Sequence, residues 1–165
     1  MRLLFIHADE ISYEVGKRTA VSEDIPESEK EDSMRDCLVA FSCVENFDER
    51  QPDETVKTMA SEILKTLEAI KAKNVMIFPF AHLSQSISSP EVALMILNKV
   101  VQRLRDAGLN VKKVPFGWYK KFKLESKGHP MAVSSKTICP MMKECSLRCP
   151  HCDWPIPIKN GGHVL

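Results

Sequence analysis

The sequence predicts an α/β domain in which a mixed β-sheet carries two main packed helices. Three observations lead there. Short, largely apolar runs recur along the chain at Met1–His7, Cys37–Val44 and Val75–Phe78, with a further short strand expected at Val111–Val114. Two longer segments between them space their apolar residues by three and four, the mark of one buried helical face. The order strand–helix–strand–helix–strand supplies the long crossovers that parallel strands need, with further strands before and after free to pair antiparallel.

Taken in order, Met1–His7 reads as an opening strand too apolar to be half-exposed, and Ile11–Val15 as a second short one. The stretch Ser22–Asp36 holds seven acidic residues and one proline, so it is expected to be a surface loop or short exposed helix without a core role. Cys37–Val44 fits a central strand. Over Asp53–Lys73, Val56, Met59, Ala60, Ile63, Leu64, Leu67 and Ile70 trace a helical stripe, with Pro52 and Asp53 at its start. Val75–Phe78 is a buried strand. Ser88 or Ser89 can cap a helix opening at Pro90, buried through Val92, Met95, Ile96, Val100 and Leu104 and ended by Gly108. Val111–Val114 and Tyr119–Glu125 are strands, and Lys127–Pro130 is a turn returning through Met131–Ser134.

The chain has 165 residues, enough for one good core, with 44% hydrophobic and 27% charged residues. No run approaches the roughly 18 apolar residues of a membrane span. The apolar N-terminus meets His7 and Asp9 too soon for a secretory signal, so the expected compartment is the cytoplasm. Net charge is only +1, but residues 1–98 carry a net of −8 and residues 99–165 a net of +9. A basic second half can face phosphates. From charge alone, an ordinary solvated face explains the lysines better.

Three segments offer chemistry. Pro79-Phe80-Ala81-His82 follows a buried strand, where ligands of open α/β sheets tend to bind. A lone histidine there is more often structural. Phe116–Phe122 interleaves aromatics with lysines, as stacking on a base and pairing with phosphate require. If this is a strand, Trp118, Lys120 and Phe122 share one face while Tyr119, Lys121 and Lys123 share the other. Core packing with lysines at the rim explains the pattern equally well. In Lys127-Gly128-His129-Pro130 a turn accounts for the glycine and proline, and His129 needs no role beyond a surface one. No phosphate-binding loop, dinucleotide fingerprint, nucleophile elbow or zinc helix is present.

The blocks LLFIHAD, VMIFPFAHLS and PFGWYKKFKLESKGHP, with the lengths between them, resemble the N-terminal editing domain of archaeal threonyl-tRNA synthetases over residues 1–138. That family is similar in fold to the D-aminoacyl-tRNA deacylases. The resemblance implies hydrolysis of serine wrongly esterified to threonine tRNA, at the 3′ aminoacyl end, with the terminal ribose 2′-hydroxyl assisting. It makes His82, Tyr119 and Lys120 the catalytic candidates, with Lys120 positioning or activating water. Substrate would lie against Pro79, Phe80, Ala81 and the position of Val133, where the family carries a glutamate. Ser126 likewise stands where the family commonly has cysteine. A valine can neither accept a hydrogen bond nor share a proton, and losing such a contact typically costs about 10²-fold or more in rate. Three outcomes follow: Ser134 or Glu125 substitutes, hydrolysis proceeds more slowly through the 2′-hydroxyl, or the domain binds tRNA or an aminoacyl nucleotide without hydrolysing it. Serine and threonine differ by one methyl group, worth roughly 1–3 kcal/mol in a pocket, which is why a synthetase needs a second sieve. The resemblance further implies a homodimer and threonyl-tRNA synthetase as a partner. Lack of synthetase catalytic sequence fits a protein acting in trans or a detached domain.

The likeness stops at Ile138, and residues 139–165 form a cysteine-rich tail. Cys145, Cys149 and Cys152, with Cys139 upstream, are spaced for chelation, and four thiolates satisfy tetrahedral zinc. His151 and His163 are alternative ligands. The CxxxCxxC spacing also resembles the iron–sulfur motif of radical S-adenosylmethionine enzymes, which need a barrel after it. A structural Zn2+ therefore stands first, an iron–sulfur cluster second and free thiols third, none of them required for editing. Cys37 and Cys43 are expected to be buried thiols.

Overall fold

The computed structural model describes residues 1–140. Eight elements form the domain: β1 (Arg2–Arg18), β2 (Glu31–Cys43), α1 (Pro52–Ile70), β3 (Asn74–Pro79), α2 (Pro90–Asp106), β4 (Asn110–Lys113), β5 (Trp118–Ser126) and β6 (Val133–Thr137). Five strands run in the order β4-β3-β2-β1-β5, and β6 joins the sheet on β1. The pairs β2–β3 and β3–β4 are parallel, whereas β1 is antiparallel to all three of its neighbours. This is the mixed sheet with two helices that the sequence predicts. Of the described residues, no helix is long and apolar enough to cross a membrane.

Both crossovers step the same way along the sheet. Crossovers that share a hand and a direction put their helices on one face. Accordingly α1 and α2 pack together over Leu3, Phe5, Leu38, Ala40, Val75, Ile77 and Val111. The stripe on α1 is narrower than the sequence suggests. Val56, Met59, Ala60, Ile63 and Leu67 are buried, but Leu64 sits at its margin and is exposed. Pro52 occupies the first turn and Lys71 closes α1 in the left-handed conformation. Ser89 takes the cap position of α2 but gives no side-chain cap; instead Glu49 accepts bonds from the Ser88 hydroxyl (2.8 Å) and the Ser89 amide (2.6 Å). Gly108, at φ 82°, turns the chain out of the helix.

The sheet's other face is apolar too, which explains why its strands read as continuous apolar runs. Val39, Phe41, Met76, Phe78 and Val114 gather there with residues of β1. The outer edge of β1 is divided, Arg2–Ile6 pairing with β6 and Ala8–Arg18 with β5. At the join the pairing with β5 slips by one residue between Ala8 and Glu10. The slip changes which residues face inward: Leu4, Ile6 and Ala8 before it, Ile11, Tyr13 and Val15 after it. An inserted residue of this kind bends a strand and sharpens its twist. Ile11–Val15 is therefore no separate strand but the far half of β1. The turn between β5 and β6 closes on the same place, where the His7 amide donates to Ala132 O (2.7 Å) and the Lys127 amide to His7 O (2.9 Å). His129 is more than a surface side chain: its Nε2 lies 2.8 Å from His7 Nδ1.

The acidic stretch is the clearest departure from expectation. Only its first part is a loop with a short helical turn, and Glu31–Asp36 belongs to β2, where Met34 is buried. Nor is the loop part idle. Glu23 accepts the Phe116 amide (2.6 Å) and pairs with Lys113 (2.6 Å), while its carbonyl receives the Trp118 indole N–H (2.9 Å). Thr19 and Ser22 hydroxyls both donate to Gly117 O. Gly117 has φ 75°, and a Cβ added there would stand 2.5 Å from Val21 O, a backbone atom that cannot step aside. Gly117→Ala should therefore cost roughly 1–3 kcal/mol from backbone strain and more from the clash. Gly108→Ala meets nothing within 4 Å and isolates the strain alone. Urea denaturation of both variants should show the larger loss for Gly117→Ala; equal losses would refute the close docking of the loop.

Candidate functional site

The loop after β3 is held from below by buried carboxylates. The Phe80 amide donates to Ser42 O (2.9 Å), fixing the exit from β3. A short helical turn follows at Ala81–Leu83, carrying His82 into solvent. Next, the Ser84 hydroxyl donates to Glu45 Oε1 (2.6 Å), and Glu45 is itself paired with the Met1 ammonium (2.9 Å) and Arg2 (3.2 Å). That ammonium is fully buried and also pairs with Asp48 (2.9 Å). Pro79 and Phe80 are half-buried and Ala81 is exposed.

On β5 the side chains alternate as strand geometry requires. Trp118 and Leu124 pack into the aromatic face, and Phe122 lies 5.1 Å from the Phe78 ring and 5.7 Å from the Phe41 ring. Lys120 belongs to the same row. Its Nζ donates to Pro115 O (2.7 Å) and lies 5.4 Å from the centre of the Phe78 ring. Burial disfavours its charged form and lowers its pKa to about 8, with Glu23 acting to raise it and Lys113 to lower it.

The two segments meet through aromatic rings. Lys120 sits against Phe78, Phe78 and Phe80 have centroids 6.2 Å apart, and Phe80 lies 5.3 Å from the His82 ring. Phe41 packs on both Phe78 and Phe80 at 4.7 and 5.3 Å. Lys120, Phe80 and His82 are thus brought to one side of the sheet. Tyr119, next to Lys120 on an alternating strand, faces away and is 65% exposed. Val133 opens β6 opposite Ile6, is 54% exposed, and borders a recess of about 340 Å³ together with Glu62, Lys65 and Met131. The larger recess, about 640 Å³, lies between Tyr13, Asp32 and Phe122 and includes neither His82 nor Lys120.

Burial pushes the Cys37 thiol up to about 12 and the Cys43 thiol up to about 11, so neither supplies a thiolate near neutral pH. Among the described residues no three metal-ligating side chains cluster. Cys139 is half-buried at the end of the described chain, and Cys145, Cys149 and Cys152 lie outside the described residues. Sequence reasoning missed Glu23, Glu45 and the Pro115 carbonyl. None carries a local signal, because each acts on a segment far away in the chain.

Known proteins resemble this chain over most of its length. The profile of the archaea-specific editing domain of threonyl-tRNA synthetase matches residues 1–138. Threonine–tRNA ligases from Pyrococcus horikoshii and Methanobrevibacter smithii are 48% and 45% identical over 85% and 84% of the chain. In each case the chain spans 23% of the relative's length. A solved structure described as c-Myc DNA unwinding element binding protein shares the fold at TM-score 0.55 and 12% identity, covering 84% of this chain and 99% of that one. With the family profile matching residues 1–138 and nearly half of the aligned residues shared with those ligases, the chain belongs to the archaeal editing-domain family of threonyl-tRNA synthetases.

Proposed function

We propose that the protein hydrolyses the ester of serine mischarged on threonine tRNA, acting on the 3′ aminoacyl end. The observation that carries this reading is Lys120, drawn to low basicity against Phe78 and joined through Phe80 to the exposed His82. A neutral Lys120 amine can take a proton from water as that water attacks the ester carbonyl. The carbonyl carbon–oxygen bond to the ribose then breaks, releasing free serine and the tRNA hydroxyl. The neighbouring ribose hydroxyl assists proton transfer to the leaving oxygen. Phe80 and His82 offer ring edges and faces on which the terminal adenine can rest. The reading extends to a cytoplasmic homodimer that serves threonyl-tRNA synthetase. It also includes a structural Zn2+ held by Cys139, Cys145, Cys149 and Cys152, which rests on thiol spacing alone and takes no part in editing.

The sign of the pH dependence follows from burial. Lys120 is mainly an ammonium below about 8 and mainly a free amine above it. After subtraction of the uncatalysed rate, hydrolysis of seryl-tRNA should rise through that midpoint and then level off. Lys120→Ala should lower the rate by about 10²-fold or more, and threonyl-tRNA should be spared. A rate in Lys120→Ala equal to that of the parent protein would remove Lys120 from the chemistry.

Val133 favours a second reading, in which the domain binds an aminoacyl nucleotide without hydrolysing it. The two readings separate in one experiment. If Val133 has weakened an enzyme, Val133→Glu should speed serine release by about 10-fold or more over the parent. Tight seryl-tRNA binding, with no release above background in either protein, would replace the enzyme by the binding module.

A further inference from the structure

Lys120 reaches its site through a backbone carbonyl, and that carbonyl belongs to a turn anchored elsewhere. Pro115, Phe116 and Gly117 join β4 to β5, and the first of them accepts the Lys120 hydrogen bond. Within the turn, Phe116 packs on the core beneath the helices, while the turn's backbone is held from outside. Its anchors come from the acidic loop: the Glu23 carboxylate takes the Phe116 amide, the Glu23 backbone carbonyl takes the Trp118 indole, and Thr19 and Ser22 hold Gly117 O. Phe116 O in return receives the Glu23 amide (3.2 Å). Glu23 also grips Lys113 at the end of β4, with both carboxylate oxygens within 2.8 Å of its Nζ. The two side chains are only 18% and 15% exposed, so their charges are poorly screened.

We propose that the Glu23–Lys113 ion pair is the positioning element for Lys120. It holds the Pro115–Gly117 turn so that Pro115 O receives the Lys120 amine, and it sets one fixed negative and one fixed positive charge beside that amine. Among the described groups, those two charges are the ones that bear on Lys120 besides burial itself. Glu23 favours the ammonium and Lys113 opposes it, so the pair acts as a trim on a lysine whose basicity is set mainly by desolvation. The inference concerns the state of Lys120 and depends on the proposed hydrolysis only for its catalytic consequence.

The test reads Lys120 directly. In the full chain, competitive labelling with acetic anhydride across pH 6–11, read at Lys120 by peptide mass spectrometry, gives its titration midpoint without any substrate. Glu23→Gln keeps an acceptor for the Phe116 amide but removes the negative charge, and should move the midpoint down by about one pH unit. Lys113→Gln removes the opposing cation and should move it up. A merely structural role would shift both variants alike, through loosening and rehydration of the turn. Glu23→Asp, which keeps the charge, should recover at least half of the downward shift. Shifts of the same sign, or no shift in either variant, would overturn the proposal. If Glu23→Gln fails to fold, Lys113→Gln decides alone: an upward shift sustains the proposal and an unchanged midpoint ends it. Opposite shifts in a protein that releases no serine would uphold the positioning element and sink the hydrolytic reading.

Discussion

The structure depends on how one strand spends its outer edge. β1 gives its first residues to β6 and the remainder to β5, and the slip at Ala8–Glu10 separates the two halves. Without that slip, Ile11, Tyr13 and Val15 would point away from the layer that Leu4, Ile6 and Ala8 enter. A single residue of register reverses every side chain beyond it. With the slip, both halves face the same apolar layer while the strand bends between them. The bend brings β5 over Phe41 and Phe78, although those rings lie level with Leu4 and not with the β1 residues that β5 pairs. Lys120 meets Phe78 for this reason, and the candidate site is a consequence of the bend.

Burying a lysine amine is unfavourable unless something answers its hydrogens. Here one carbonyl does so directly, and the Phe78 ring lies within the range of a cation–π contact. These partners are fewer than a buried ammonium needs, so the pKa falls to about 8 while the ammonium still predominates at neutral pH. The layer of phenylalanines has two effects at once. It fills the space that water would otherwise use to solvate Lys120, and it carries the contact across to His82. A more polar layer would leave Lys120 a common surface cation.

Much of this was legible in the sequence, and what was not has physical reasons. Both helices and β3 show in the spacing of apolar residues, because their burial is one-sided or complete. The alternation of Trp118, Lys120 and Phe122 was legible for the same reason, since a strand leaves little choice about which residues share a face. The first residues of β2 were hidden because only Met34 among Glu31–Asp36 is buried, and pairing with the far half of β1 holds them in line. Ile11–Val15 looked detached because Asp9 and Glu10 interrupt the apolar run where the strand bends. The outward turn of Tyr119 could be read from alternation, yet the resemblance places Tyr119 beside Lys120 in the site. Strand geometry within one chain sets those two expectations against each other. Glu23 had no signal at all. Its partners lie ninety or more residues away, and a loop of acidic residues gives no hint which one of them turns inward.

The uneven charge of the two halves has an internal explanation that composition concealed. Lysines of the basic half dock on acids of the acidic half: Lys99 on Asp53, Lys112 on Asp32, Lys113 on Glu23, Lys121 on Glu14, Lys127 on Asp36 and Asp9, and Lys136 on Glu62. Each exposed pair contributes at most about 1 kcal/mol, so they are weak as stabilisers. Their value lies in selection. β4, β5 and β6 arrive late in the chain and must find the right edges of a sheet begun by β1 and β2. A lysine set against an acid on the correct neighbour favours that pairing, while a slipped register would face like against like or leave a half-buried charge alone. Among the described residues, six lysines of the basic half are thus engaged with acids of the first half, and the charge imbalance read from composition is largely answered within the domain.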